Sequence, residues 1–191
     1  MLKVLGIPGS NSEDSINALL VRYTLNLLKT KLKVDAQYSI LDLNDYEMPI
    51  YKSEREVTGG IPDSAKAFVR TIGFSDALIM SFAEHNGNYS AAFKTIFDWA
   101  SRVEQKVYHA KPILMMATSP GARRGASVLE IASTAAPYFG GRVVGTFSLP
   151  RFGETFDRTR NVCLDAEKSN KLSSLLRQFA RTLTGEKIEE V

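Results

Sequence analysis

Residues Leu2–Leu28, "LKVLGIPGSNSEDSINALLVRYTLNLL", hold a strand, a turn and a helix in immediate succession. Leu2–Ile7 is a short apolar run of strand length. The run breaks at Gly9-Ser10-Asn11-Ser12-Glu13-Asp14-Ser15. It resumes at Ile16, Leu19, Leu20, Tyr23 and Leu27, the spacing of one helix face.

The same alternation continues along the chain. Apolar runs at Ala36–Leu43, Ala77–Phe82, Ile113–Ala117 and Val143–Leu149 read as four more strands. Between and after them lie three further helical faces: Phe93, Ile96, Phe97, Ala100 and Val103; Val128, Leu129, Ala132, Ala135 and Phe139; and Leu172, Leu175, Leu176, Phe179 and Leu183. A less regular helix is expected over Ser64–Ile72, entered through Pro62 with Asp63 and Ser64 as caps. Nearly continuous apolar strands alternating with helices are the pattern of a parallel sheet covered on both faces. Five such units make an α/β fold, a three-layer α/β/α sandwich.

The chain has 191 residues, enough for one domain with a sizeable core, and residues 1–191 are expected to form it. The tail 185–191 is charged enough to fray. Hydrophobic residues make up 44% and charged residues 24%, which argues against disorder and against a small disulfide-stapled scaffold. A net charge of +3, with basic residues mostly dispersed, does not indicate nucleic-acid binding. Its field still favours anionic ligands. One cysteine, Cys163, allows no internal disulfide, and no run is long enough to span a bilayer, so the cytoplasm is the expected location.

Ligands of open parallel sheets sit beyond the carboxyl ends of the strands. Those ends read "PGSNSEDSIN" (8–17), "FAEHNGNYS" (82–90) and "TSPGARRGAS" (118–127), all rich in glycine and small polar residues. In the first of them the backbone N–H groups of a helix start, joined by Ser10, Ser12, Ser15 and Asn17, offer donors to a phosphate. The plainer reading makes Ser12 the N-cap, with Glu13 and Asp14 complementing the helix dipole. One cap does not account for polar groups continuing to Ser15 and Asn17. The loop is neither a Walker A loop nor the three-glycine dinucleotide turn.

These segments resemble the NADPH-dependent FMN reductase family, flavodoxin-like enzymes that include quinone, azo-dye and chromate reductases. "GSNSEDSIN" keeps Gly9, Ser10, Ser15 and Asn17 of that family's Gly-Ser-x-Arg-x-x-Ser-x-Asn loop. "EHNGNYSAAFKTIFDWASR" is similar to its Glu-Tyr-Asn loop and following helix, with Glu84, Asn86, Lys94, Asp98 and Trp99 matching. "TSPGARRGAS" is similar to its Ser-Pro-Gly-x-x-Gly loop, and "MPIY" at Met48–Tyr51 to its Pro-Ile/Leu-Tyr turn. The resemblance runs over essentially the whole chain and implies a sheet of strand order 2-1-3-4-5.

It also implies roles. FMN is the expected cofactor, with its phosphate on Ser10, Ser15 and Asn17 and with Ser12 and Ile16 also among the residues that bind it. Its ring lies against Glu84, His85, Asn86 and Gly87, and Ser119, Pro120, Gly121 and Gly125 close the site. NADPH or NADH supplies hydride, and a quinone, azo compound, free flavin or similar molecule accepts it. The flavin carries the reaction, so no protein nucleophile is expected. The assembly implied is a homodimer or homotetramer.

The sequence departs from the family pattern in three places. Ser12 replaces the loop arginine and is followed by two acids, His85 replaces the tyrosine beside the flavin, and Ala83 replaces a proline. Arg123 or Arg124 would have to supply the missing cation. His85 either lines the pocket or donates a proton to the acceptor. His109, at a strand entrance, reads as a surface residue; Cys163 as packing or surface; Phe93, Phe97 and Trp99 as core. Two other functions suit the same scaffold: a flavodoxin-type electron carrier, which the positive charge opposes, and a flavin-free binding protein.

Overall fold

A computed structural model describes residues 1–123 and 125–185. Arg124 and the 186–191 part of the expected frayed tail lie outside the described residues. Strand β1 (Leu2–Gly9) leads into helix α1 (Ile16–Thr30) and strand β2 (Ala36–Ile40). A 3₁₀ turn at Leu43–Tyr46, α2 (Ser53–Gly59) and α3 (Asp63–Gly73) follow. Next come β3 (Ala77–Phe82), β4 (Glu84–His85), β5 (Asn88–Tyr89), α4 (Ala91–Val103) and β6 (Pro112–Thr118). The chain continues through α5 (Ala126–Ala135), β7 (Arg142–Leu149), α6 (Phe152–Thr155), β8 (Phe156–Asp157), β9 (Val162–Cys163) and α7 (Ala166–Thr184).

Five strands form one parallel sheet in the order β2-β1-β3-β6-β7. This is the expected 2-1-3-4-5 order once the two-residue strands of the β4–β5 hairpin are set aside. Alternate residues of each strand divide two cores. Leu78, Met80 and Phe82 of β3 pack beneath α3, α4 and α5 with Phe68, Phe93 and Phe97. Ala77 and Ile79 face α1 and α7 with Leu20, Leu28, Leu176 and Phe179. Phe93 and Phe97 are core, and Trp99 is buried with its indole N–H donating to Pro49 O at 2.7 Å. These three aromatic residues therefore hold the interior together, as their helical spacing predicts.

Three local expectations need correction. Helix α1 begins at Ile16, not after Ser12: Ser15 is its N-cap, and its Oγ accepts from Ala18 N at 3.1 Å. Strand β2 ends at Ile40, three residues early, because Asp42 turns the chain by accepting from Asn44 N at 2.9 Å. Helix α3 carries no side-chain cap. Pro62 occupies the N-cap position, and the Asp63 carboxylate pairs with Lys66 at 2.8 Å instead.

Candidate flavin site

The loops after β1, β3 and β6 meet in a crevice of about 250 Å³. Ser10, Ser12, Asp14, Ser15, Ile16 and Asn17 line it from the first loop; Ala83, Glu84 and His85 from the second; Thr118, Ser119 and Pro120 from the third. Nine of the thirteen expected site residues are in that lining. Asn86, Gly87, Gly121 and Gly125 lie in the adjoining turns. Asp14, Ala83 and Thr118 line the crevice without having been expected there; Thr118 had a signal, as the last residue of a strand that feeds a glycine-rich loop. A larger groove of about 490 Å³ lies on the other side of Asn11, between the 3₁₀ turn and the start of α4. The crevice is the better candidate because three strand-end loops converge there.

The side chains in the first loop fall into two groups. Asn17 is buried and internally paired: its Oδ1 accepts from Ser81 Oγ at 2.7 Å and Thr118 N at 3.1 Å, and its Nδ2 donates to Thr118 O at 3.3 Å. The amide thus ties α1 to β3 and β6 beneath the crevice, so only its backbone N–H faces the ligand role expected of the residue. The serines differ. Ser10 Oγ accepts from Ser12 N at 3.2 Å, and Ser15 Oγ from Ala18 N. Each hydroxyl hydrogen stays available to an incoming acceptor. The first turn of α1 adds unpaired backbone N–H groups and a positive dipole end.

The second loop is a hairpin whose central residues Asn86 and Gly87 have φ of 54° and 78°. Two positive φ values in a two-residue connection match the twist of paired strands, and Asn-Gly is suited to them. Tyr89, at the hairpin's base, packs on Phe82 and Phe93, and burial pushes its phenol up to about 12. Glu84 lines the crevice and is also tied to α5. Its Oε2 accepts from Val128 N at 3.0 Å, in the first turn of α5. Gly125, at the N-cap position of α5, has φ 69° and no side chain to cap with, so the carboxylate supplies that function from across the loop. A Cβ at Gly125 would lie 2.8 Å from Ala117 Cβ, so α5 approaches β6 more closely than any other residue allows.

Among the described residues no lysine or arginine lines the crevice, and Asp14 and Glu84 do. Among those residues none replaces, from within the crevice, the cation missing at Ser12. Arg123 is exposed, its Nη2 3.4 Å from Ser127 Oγ. The hydroxyl hydrogens and the α1 amides nonetheless form a donor set that fits a phosphate. His109 sits at the entrance of β6, the end opposite the crevice. It is half-buried, not a surface residue, with Nε2 3.5 Å from Glu104 Oε2. Cys163 is half-buried as well, and burial pushes its thiol up, which suits packing rather than nucleophilic attack. Among the described residues no helix is long and apolar enough to cross a membrane, and no cluster of metal-ligating side chains occurs.

The family model described as NADPH-dependent FMN reductase matches residues 2–154. The quinone reductase of Escherichia coli strain K12 is 25% identical over 167 residues, covering 82% of this chain and 86% of its own. An NAD(P)H-dependent FMN reductase of Pseudomonas aeruginosa is 28% identical over 120 residues, 63% of this chain and 61% of its own. Among solved structures, the flavoenzyme NAD(P)H:(acceptor) oxidoreductase FerB from Paracoccus denitrificans shares the fold with a TM-score of 0.74. It is 21% identical and covers 97% of this chain and 98% of its own.

Proposed function

The chain belongs to the NADPH-dependent FMN reductase family and is an oxidoreductase that works with FMN; on that footing we propose how its own residues serve the reaction. The FMN phosphate is held at the start of α1 by the hydroxyls of Ser10, Ser12 and Ser15 and by the backbone N–H groups of Ile16 and Asn17. The ring lies between the His85-Asn86-Gly87 turn and the Ser119-Pro120-Gly121 loop. Bound there, FMN supplies a two-electron relay from a nicotinamide nucleotide to a quinone, azo compound, free flavin or similar acceptor.

Asn17 and Glu84 act as positioning residues. The first fixes the loops of β1 and β6 at their common floor. The second clamps the hairpin to α5. His85 is exposed on the rim and donates a proton to the reduced acceptor. The working assembly is a homodimer or homotetramer.

One observation carries this reading: three loops separated by tens of residues, each matching a family motif, line a single crevice. The purified protein is expected to be yellow or to bind added FMN, and NADPH without air should bleach that colour within seconds. Ser10→Ala with Ser12→Ala should weaken FMN by about a hundredfold or more, since each loses a charge-assisted hydrogen bond, while the urea midpoint stays unchanged. A protein that remains colourless after FMN addition refutes the cofactor placement. Colour that persists with NADPH points to an electron carrier instead.

A further inference from the structure

We propose that Ser90 is a positioning residue for the cofactor: its hydroxyl ties the start of the phosphate loop to the end of the hairpin and so sets how well the site holds the FMN phosphate. The inference rests on the crevice being the flavin site. Ser90 is not in the crevice lining, so it acts through the loop and not by touching the ligand.

Ser90 Oγ makes two hydrogen bonds of different kinds. As the N-cap of α4 it accepts from Phe93 N at 3.2 Å, and it donates its one hydrogen to Gly9 O at 2.9 Å. The residue is 1% exposed, so both bonds are shielded from bulk solvent. Ser15 makes the contrast: it caps α1 by accepting from Ala18 N at 3.1 Å, and its hydrogen is uncommitted. A cap needs only the oxygen. The hydrogen of Ser90 therefore does something that capping does not require.

What it holds is a joint. Gly9 is the last residue of β1 and opens the loop whose Ser10, Ser12, Ser15 and Ile16 line the crevice. Ser90 follows Tyr89, the last residue of the β4–β5 hairpin, which carries the turn set against the ring. One bond across 81 positions thus joins the phosphate side of the site to the ring side. The peptide after Gly9 is planar and trans, so a fixed Gly9 carbonyl also fixes the opposed Ser10 N–H and the heading of the chain into Ser10 and Ser12. A second tether, from Asn44 Nδ2 to Asn11 O at 3.3 Å, is exposed, and water competes for it. The buried bond is the firmer of the two.

The test compares FMN with riboflavin, which lacks the phosphate, by calorimetry on the flavin-free protein. Ser90→Ala should weaken FMN by about three- to tenfold and leave riboflavin within about twofold of the natural protein. It should also lower the urea midpoint, because α4 loses its cap. Loss of a cap alone gives that fall in stability with both affinities unchanged, or with both lowered alike; either result overturns the proposal. Ser90→Thr keeps a hydroxyl and should restore FMN toward the natural affinity, and a threonine variant no better than the alanine one overturns the proposal too. In the flavin-free proteins, amide hydrogen exchange at residues 10–12 should quicken in Ser90→Ala, and unchanged exchange there would count as refutation. If the natural protein binds neither flavin, or both equally, the phosphate placement fails by itself, and the exchange comparison still decides whether Ser90 fixes the loop.

Discussion

The floor and the rim of the crevice are built from the same few residue types but in opposite states. On the floor, Asn17, Ser81 and Thr118 are buried, and their polar atoms bond to one another across α1, β3 and β6. On the rim, Ser12 and His85 are exposed and Ser10 is half-buried, each with donor capacity left over. A motif therefore mixes two kinds of residue. Some of its members set the distance between loops, and others are free to touch a ligand. Burial tells them apart where spacing does not.

The largest effect should come from the floor. Asn17→Ala removes three hydrogen bonds and takes away the side-chain acceptor of the Thr118 backbone N–H. A loss of about 2–4 kcal/mol is expected in urea unfolding of the FMN-free protein, against less than about 0.5 kcal/mol for Ser10→Ala on the rim. If both substitutions cost the same, the division between floor and rim is wrong.

The sequence made the layers easy to read and the floor hard. Each main strand is an unbroken apolar run, because burial on both faces demands it. The hairpin strands β4 and β5 have two residues each, too few to show any period, and α2 has no buried face. Ser12 and Ser15 are both sound N-cap residues within one turn of each other. Only the start of hydrogen bonding at Ile16 selects the second. Asn17's partners lie 64 and 101 residues away, so nothing local marks it as a brace. The same distance hides Glu84's bond to Val128, 44 residues on.

Ser15 belongs to both regions and gives the intermediate effect. Ser15→Ala should cost about 1 kcal/mol of stability as a lost N-cap and should also weaken FMN. Ser15→Asp separates the two roles. A carboxylate caps α1 as well as a hydroxyl does and favours the dipole, so stability should return, while a negative charge facing the phosphate keeps FMN weak. Unfolding and FMN titration of the same pair of variants measure both. Recovery of both properties in the aspartate variant would remove Ser15 from the phosphate site.

The smallest effect concerns the root of the rim. Tyr89 anchors the hairpin that carries His85, and its phenol is pushed up to about 12 by burial, from an ordinary value of 10.0. The folded state therefore holds its proton more tightly than the unfolded chain does. Its contribution is fully present below pH 10 and is lost as pH rises from about 10 through about 12. Unfolding midpoints measured across that window should fall for the natural protein and fall less steeply for Tyr89→Phe. Some decline should persist in the variant, because Tyr108, wholly buried in the same core, is pushed well above its ordinary value too. Identical slopes would mean that the hairpin opens enough in alkali for Tyr89 to ionise without unfolding. The rim would then move independently of the floor beneath it.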